Sequence, residues 1–252
     1  MMGGLEIWAF VLALGVTFFG GFVKGAVGFA MPLIMVSVLS SFLTHDMVLA
    51  SVMLPVLVTN LSQCLRDGWR AAAKTAWQYR RMIGVMLAFI LISAQFVDAI
   101  PQRLLTLLLG VPITLFALVQ LLGIPLALRL EHRARAEVVL GVIGGFYGGI
   151  AGIWGPPLIV YLLSINAEKR EAMRVQGVFF FLGSIVLLAG HAISGLLTPS
   201  MLVFSGSLVV PAVAGMALGY AVHDRLPAAT FRRWTQGLLV LTGLNLVREA
   251  LV

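Results

Sequence analysis

Lys24 is a charged residue inside an apolar stretch, and it sits within a phrase that the chain carries twice. Residues 20–32 read GGFVKGAVGFAMP and residues 144–156 read GGFYGGIAGIWGP. Both fit Gly-Gly-Phe-x-x-Gly-x-x-Gly-x-x-x-Pro. The offset is constant (145 − 21 = 124), about half of the 252 residues. Glycine permits positive φ and close backbone approach, and proline suits the first turn of a new helix. Gly25, Gly28, Gly149 and Gly152 therefore mark two breaks in apolar helices, with Pro32, Pro156 and Pro157 at the restarts. A helix that restarts at such a break presents free N–H groups and the positive end of its dipole, which together bind anions. Two tips of this kind facing each other make an anion site that needs little side-chain charge. The competing role for the same glycines is close helix packing through small-xxx-small spacing.

A charge in a membrane segment is expensive and faces protein or water. Lys24 reads as a cationic ligand for an anion, or else as a lysine whose head snorkels to the surface. Its mate in the second phrase is Gly148, so repeat symmetry does not require it. Phe29 and Trp154 follow the last glycine of each phrase and either wall a pocket or simply pack. Asn60 is a polar candidate within an apolar window, as are Gln63, Gln120, Gln176 and Asn245. Interhelical hydrogen bonding is the alternative role for all of them. Arg174 either lines a vestibule on the cytoplasmic side or is an ordinary flanking charge.

The elements that must position these residues are apolar helices. Hydrophobic residues make up 60% and charged residues 11%, where a soluble domain carries about a quarter charged. Mean hydropathy is +1.04. Windows free of Asp, Glu, Lys and Arg cover 7–23, 47–65, 82–97, 104–128, 138–167, 175–223 and 234–247. About 20 apolar residues cross a bilayer. Eight hydrophobic units follow, at about 5–42 (broken), 47–64, 82–98, 103–127, 136–165 (broken), 172–194, 200–222 and 232–250. The start MMGGLEIWAF lacks a basic n-region and does not read as a cleaved signal peptide. Cys64 is the single cysteine and reads as a small apolar packer.

The net charge of +7 speaks to orientation rather than to nucleic acid. Of 17 Lys and Arg, 14 fall in four clusters, at 66–81, 129–135, 169–174 and 225–233. Basic loops stay cytoplasmic. If every unit crossed once, the last two clusters would lie opposite the first two. The conflict disappears if the broken unit 136–165 is a hairpin that enters and leaves on one side. The matching unit 5–42 does the same from the other face, and its second arm, of about 11 residues, reaches about half of a ~30 Å core. The expectation is an all-α polytopic membrane protein of two inverted repeats, 1–128 and 129–252. Each repeat holds a broken re-entrant helical hairpin and three transmembrane helices. The tips then meet near the membrane midplane, and both termini lie outside. Around the first cluster, Trp69, Ala73, Ala76 and Trp77 recur at helical spacing beside Arg66, Arg70 and Lys74, which suits a short helix lying in the interface.

No Walker A loop, His-Glu-x-x-His or Gly-x-Ser-x-Gly occurs, so neither an ATP-driven step nor a hydrolase has a motif here. The expectation is a chain that is not an enzyme, with no cofactor and no metal. Glu6, Asp46, Asp98 and Glu249 lie at segment ends, and no carboxylate reads as a mid-membrane proton relay. Any pH dependence is therefore expected from the substrate's own protonation, or from the membrane potential acting on its charge.

The phrase GGFVKGAVGFAMPLI, its second copy GGFYGGIAGIWGPPLIVYLL, the length and the two four-unit halves resemble the TauE/SafE, or sulfite exporter, family. The resemblance spans nearly the whole chain. It implies a bacterial inner-membrane transporter of small sulfur-containing or organic anions. Lys24 and Ala30 stand where family members are often richer in glycine. The expected activity is secondary transport, as export, of a small anion such as sulfite or an organosulfonate. Uptake of such an anion, or service as a non-transporting membrane component of a partner complex, are the alternatives. The partners implied are the anion and the lipid bilayer, with room for a second copy of the chain in a homodimer.

Overall fold

The computed structural model describes residues 6–39, 41–93, 102–123, 133–151, 155–193 and 198–251. These residues form eleven α-helices and, among them, no strand. In order they are α1 (Ile7–Val27), α2 (Met31–Leu39), α3 (His45–Leu65), α4 (Trp69–Gln78), α5 (Arg80–Ser93), α6 (Gln102–Leu121), α7 (Arg133–Ala151), α8 (Gly155–Ser164), α9 (Lys169–Ile193), α10 (Pro199–Arg225) and α11 (Ala228–Leu251). Segments Ile7–Val27, Met47–Leu65, Lys169–Ala189 and Pro199–Arg225 are long and apolar enough to cross a bilayer.

Polarity is distributed inside out. Val210 is 74% exposed and Ile7 82%, whereas Lys24 is 1% exposed. Thr59, Asn60, Gln63 and Gln176 are buried as well. A surface of large apolar side chains around a polar interior suits a lipid solvent and not water.

The helices pair lengthwise: α1 with α10, α5 with α7, α6 with α11, and α3 with α9. Small residues let these pairs approach closely. A Cβ added to Gly21 or Gly25 would strike the backbone of Ala212 or Met216, and one at Gly219 would strike Phe22 and Gly25. Gly145 faces Met86 and Phe89 in the same way. The packing role of the phrase is therefore real for Gly21, Gly25 and Gly145.

Both broken units fold back on themselves. After α1 ends, Met31 lies against Gly20. The rings of Trp8 and Phe42, at the open end of that hairpin, are 5.7 Å apart. In the second unit Tyr161 of α8 returns to the start of α7, its hydroxyl donating to Glu137 at 3.0 Å. The first open end lies by the start of α10, where Phe10 and Phe204 rings are 6.4 Å apart. The second lies by Tyr79, whose ring is 6.3 Å from that of Tyr161.

With 21 residues, α1 is about 31 Å long, the thickness of a bilayer core. Its end lies beside Gln63, in the last turn of α3, and Met173, in the second turn of α9. The short return arm starts at Met31, beside Gly20.

Members of the basic clusters gather at one end of the bundle. Arg66 pairs with Asp224 at 2.6 Å, and Arg170 and Arg174 both pair with Asp67 at 2.9 Å. Lys169 donates to the carbonyls of His223 and Leu226 at 2.7 and 2.9 Å. The guanidinium of Arg133 lies 5.6 Å from the Tyr79 ring. Helix α4 sits at this end with Trp69 and Trp77 exposed and Ala72 and Thr75 buried. That is the arrangement of a helix with one face on the protein and its indoles free for an interface.

Candidate functional site

The first break is closed by Gly28, at φ +93°, whose N–H donates to the Lys24 carbonyl at 2.6 Å. Ala30 also has positive φ, +76°, which is uncommon for a residue with a Cβ. Gly28 fits because a side chain there would run into Gln176. Pro32 is the second residue of α2 and Pro156 the second of α8, so both restarts carry proline in their first turn. Pro157 follows it and is buried. Gly25 and Gly149, expected at the break, are helical instead, and Gly25 is a packing glycine of the α1–α10 contact. Gly152 and Trp154 lie outside the described residues. Phe29 is buried in an apolar cluster with Val27, Phe179 and their neighbours.

Lys24 lies one turn before the break, and its ammonium does not snorkel. Its Nζ donates to Thr59 Oγ1 at 3.1 Å and to Asn60 Oδ1. Both acceptors are neutral, and among the described residues no carboxylate pairs with it. Asn60 is held in place from the other side, since its Nδ2 donates to the Phe180 carbonyl at 3.0 Å. The Phe180 ring in turn lies against Gly155, the first residue of α8. The two broken units thus reach the same place on α9, one through Lys24 and Asn60, the other through Gly155.

One turn toward the basic end, Gln63 repeats the pattern with amide chemistry. Its Nε2 donates to the carbonyls of Gly28 and Met173 at 3.1 and 3.0 Å. Two carbonyl partners fix which side of that amide is nitrogen. Its Oε1 is buried with no partner, as are Gln176 Oε1 and Thr17 Oγ1. Buried polar atoms without partners are rare and call for a water, an ion or a ligand. Gln176 also lines a groove between α8, α9 and α11, walled by Ile159, Leu162 and Phe231 and flanked by Lys169.

Arg174 is engaged at the basic end. Its Nε donates to Thr75 at 2.8 Å and its Nη1 pairs with Asp67. It borders a small cleft with Gln63, Arg66 and Arg170 that covers the site from the basic end. Burial would raise the Asp67 pKa, but hydrogen bonds and charge from Arg170 and Arg174 outweigh it and hold the carboxyl below its usual range.

Sequence reasoning placed Lys24 and Asn60 separately and missed that they touch. It also passed over Thr59 and Asp67. The available signal was the spacing of Thr59, Asn60 and Gln63, which places three polar side chains on one face of an apolar helix.

Comparison with known proteins follows this geometry. Residues 13–246 match the family described as Sulfite exporter TauE/SafE. A relative from Cupriavidus necator, named as a probable sulfite/organosulfonate exporter TauE, is 27% identical over 241 residues, covering 92% of this chain and 91% of its own length. No solved structure matches. Among the described residues four helices are long and apolar enough to cross a bilayer, which with the family match makes the chain a multi-pass membrane protein, and it belongs to the Sulfite exporter TauE/SafE family.

Proposed function

We propose that this protein is a secondary transporter that exports a small anion, sulfite or an organosulfonate, across the bacterial inner membrane. The observation that carries the reading is Lys24: a cationic side chain, 1% exposed, held by two neutral acceptors. An uncompensated charge in such a place is expensive, and an anion supplies what it lacks. Asn60 brings an amide to the ammonium, and one turn further on Gln63 and Gln176 flank the Gly28 break that ends α1. The relative named as an exporter of sulfite or organosulfonate supports the substrate class and the direction.

The architecture we infer is two inverted repeats, 1–128 and 129–252, each a re-entrant hairpin plus three crossings. Element bounds support it: adding 124 to α1 gives 131–151 against the observed 133–151, and adding it to α2 gives 155–163 against 155–164. The pairing of α1 with α10 is mirrored by that of α7 with α5. The gathered basic end is assigned to the cytoplasm, which leaves both termini periplasmic.

The test is flux in proteoliposomes loaded with sulfite, methanesulfonate, sulfate or acetate. The expected result is movement of sulfite or the sulfonate in preference to acetate. Equal leakage with and without the protein for all four refutes the reading.

A further inference from the structure

Lys24 raises a question of charge that anion binding alone does not answer. When no anion is present, an ammonium at this position has, among the described residues, hydroxyl and amide oxygens as its hydrogen-bond partners. The penalty for one unpaired ion in a low-dielectric interior is several kcal/mol, and a lysine escapes it by giving up its proton. Resting on the anion-site reading above, we propose that Lys24 is neutral in the empty carrier and takes up one proton as the anion binds. The balance is Lys–NH2 + H+ + R–SO3− → Lys–NH3+···−O3S–R. An N–H bond forms, nothing is oxidised, and the loaded site is neutral. Each anion then moves with a proton, so transport is electroneutral: the membrane potential does not act on it, export follows the substrate gradient, and the pH gradient enters through the proton.

The surroundings leave Lys24 as the group that responds. Helix α2 carries no ionisable side chain. On α3 there is Cys64 in the last turn, with His45 and Asp46 at the far end. On α10 there are Tyr220, His223, Asp224 and Arg225, all at its final turns. His223 sits 3.1 Å from the Ala26 carbonyl, Asp224 is paired with Arg66, and that guanidinium also lies over the Tyr220 ring at 3.9 Å. On α9, reached through Phe180, Lys169, Arg170, Glu171 and Arg174 all lie at the start, with His191 near the other end. Helix α11 contributes Arg232, Arg233, Arg248 and Glu249, again near its ends. The charge-free windows hold no carboxylate relay, but a lysine among neutral acceptors can take up and release a proton in its place.

The experiment is calorimetric titration of the detergent-solubilised protein with methanesulfonate, which stays ionised throughout. It is run at mildly alkaline pH in two buffers of different ionisation enthalpy. The wild-type protein should take up close to one proton per anion, and its affinity should fall about tenfold per pH unit once the lysine is mostly deprotonated. Lys24→Arg keeps a charge that cannot be removed and should bind with no proton uptake. Lys24→Gln should show neither the uptake nor the steep pH dependence. Binding by wild type that moves no proton and is flat with pH overturns the inference and leaves the anion site intact. Proton uptake that persists in Lys24→Arg and disappears in His223→Gln overturns it in favour of the histidine. No anion binding by wild type overturns both this inference and the site itself. If both lysine variants fail to fold, the proton count of wild type read beside that of His223→Gln still decides between the lysine and the histidine.

Discussion

Replacing Lys24 by methionine separates binding from stability, because the two should move in opposite directions. Methionine keeps an unbranched chain of similar length and removes only the nitrogen and its hydrogen bonds. On the binding side, a hydrogen bond from a charged donor contributes about 1.5–3 kcal/mol. Its loss should weaken methanesulfonate binding about 10- to 150-fold. On the stability side, Asn60 Oδ1 loses its donor while its Nδ2 remains tied to Phe180. An orphaned acceptor costs about 1–3 kcal/mol. Against that, an unpaired buried lysine is removed, whose presence, charged or stripped of its proton, costs a comparable amount. Thermal stability in detergent should therefore be unchanged or higher. The assay is a ligand titration paired with thermal unfolding of the same preparation. A variant that binds like wild type refutes the role of Lys24 in binding. A variant that loses binding only because it has melted refutes the claim that the lysine is there for function and not for packing.

Gly28→Ala meets both a positive φ and the Gln176 side chain, so it should cost about 2–4 kcal/mol, and Gln176→Ala in the same chain should recover the steric part, read by thermal unfolding. Gly219→Ala presses a Cβ into the backbone of Phe22 and should destabilise by about 1–3 kcal/mol. Gly237→Ala, with nothing within 4 Å, should be neutral or stabilising by up to about 1 kcal/mol; similar behaviour of the two would remove close packing as the reason for the α1–α10 glycines. The Asp67 carboxyl has a depressed pKa, so its contribution is present above the ordinary carboxylate value near 4 and is lost as pH falls through the lower folded value. Asp67→Asn should thus be less stable than wild type at neutral pH, and the gap should close in acid; a gap independent of pH would mean that the ion pairs do not hold this end together. A periplasmic reporter fused after Val252 should be active and one at Asn166 inactive; a cytoplasmic C-terminus would contradict the inverted repeats.

What was legible in the sequence came from local chemistry. Glycine and proline end and restart helices wherever they fall, so both breaks could be placed to within a few residues. Charge-free windows mark candidate helices because ionised side chains avoid the membrane interior. What was hidden depends on which faces meet. Gly25 and Gly28 belong to one phrase, yet one packs against Gly219 and the other turns the chain beside Gln176. Only the pairing of α1 with α10 separates those roles. Arg174 looked available because its neutralising partner, Asp67, lies 107 residues earlier in a loop.

Repeat symmetry shapes the scaffold but not the chemistry at its centre. Shifting Lys24, Thr59 and Asn60 by 124 gives Gly148, Gly183 and Ser184. The second half therefore offers no ammonium and no amide at the matching places. Ser184 spends its hydroxyl on the Phe181 carbonyl at 2.8 Å. Gly148 is a buried helical residue of α7. The second half serves the first half's site instead: Phe180 supplies the carbonyl that orients Asn60, and Gly155 brings the second broken unit against the same residue. On the proposed reading, one cation beside the first break fits one monovalent anion per carrier, and the second half contributes the carbonyl that orients the amide beside that cation.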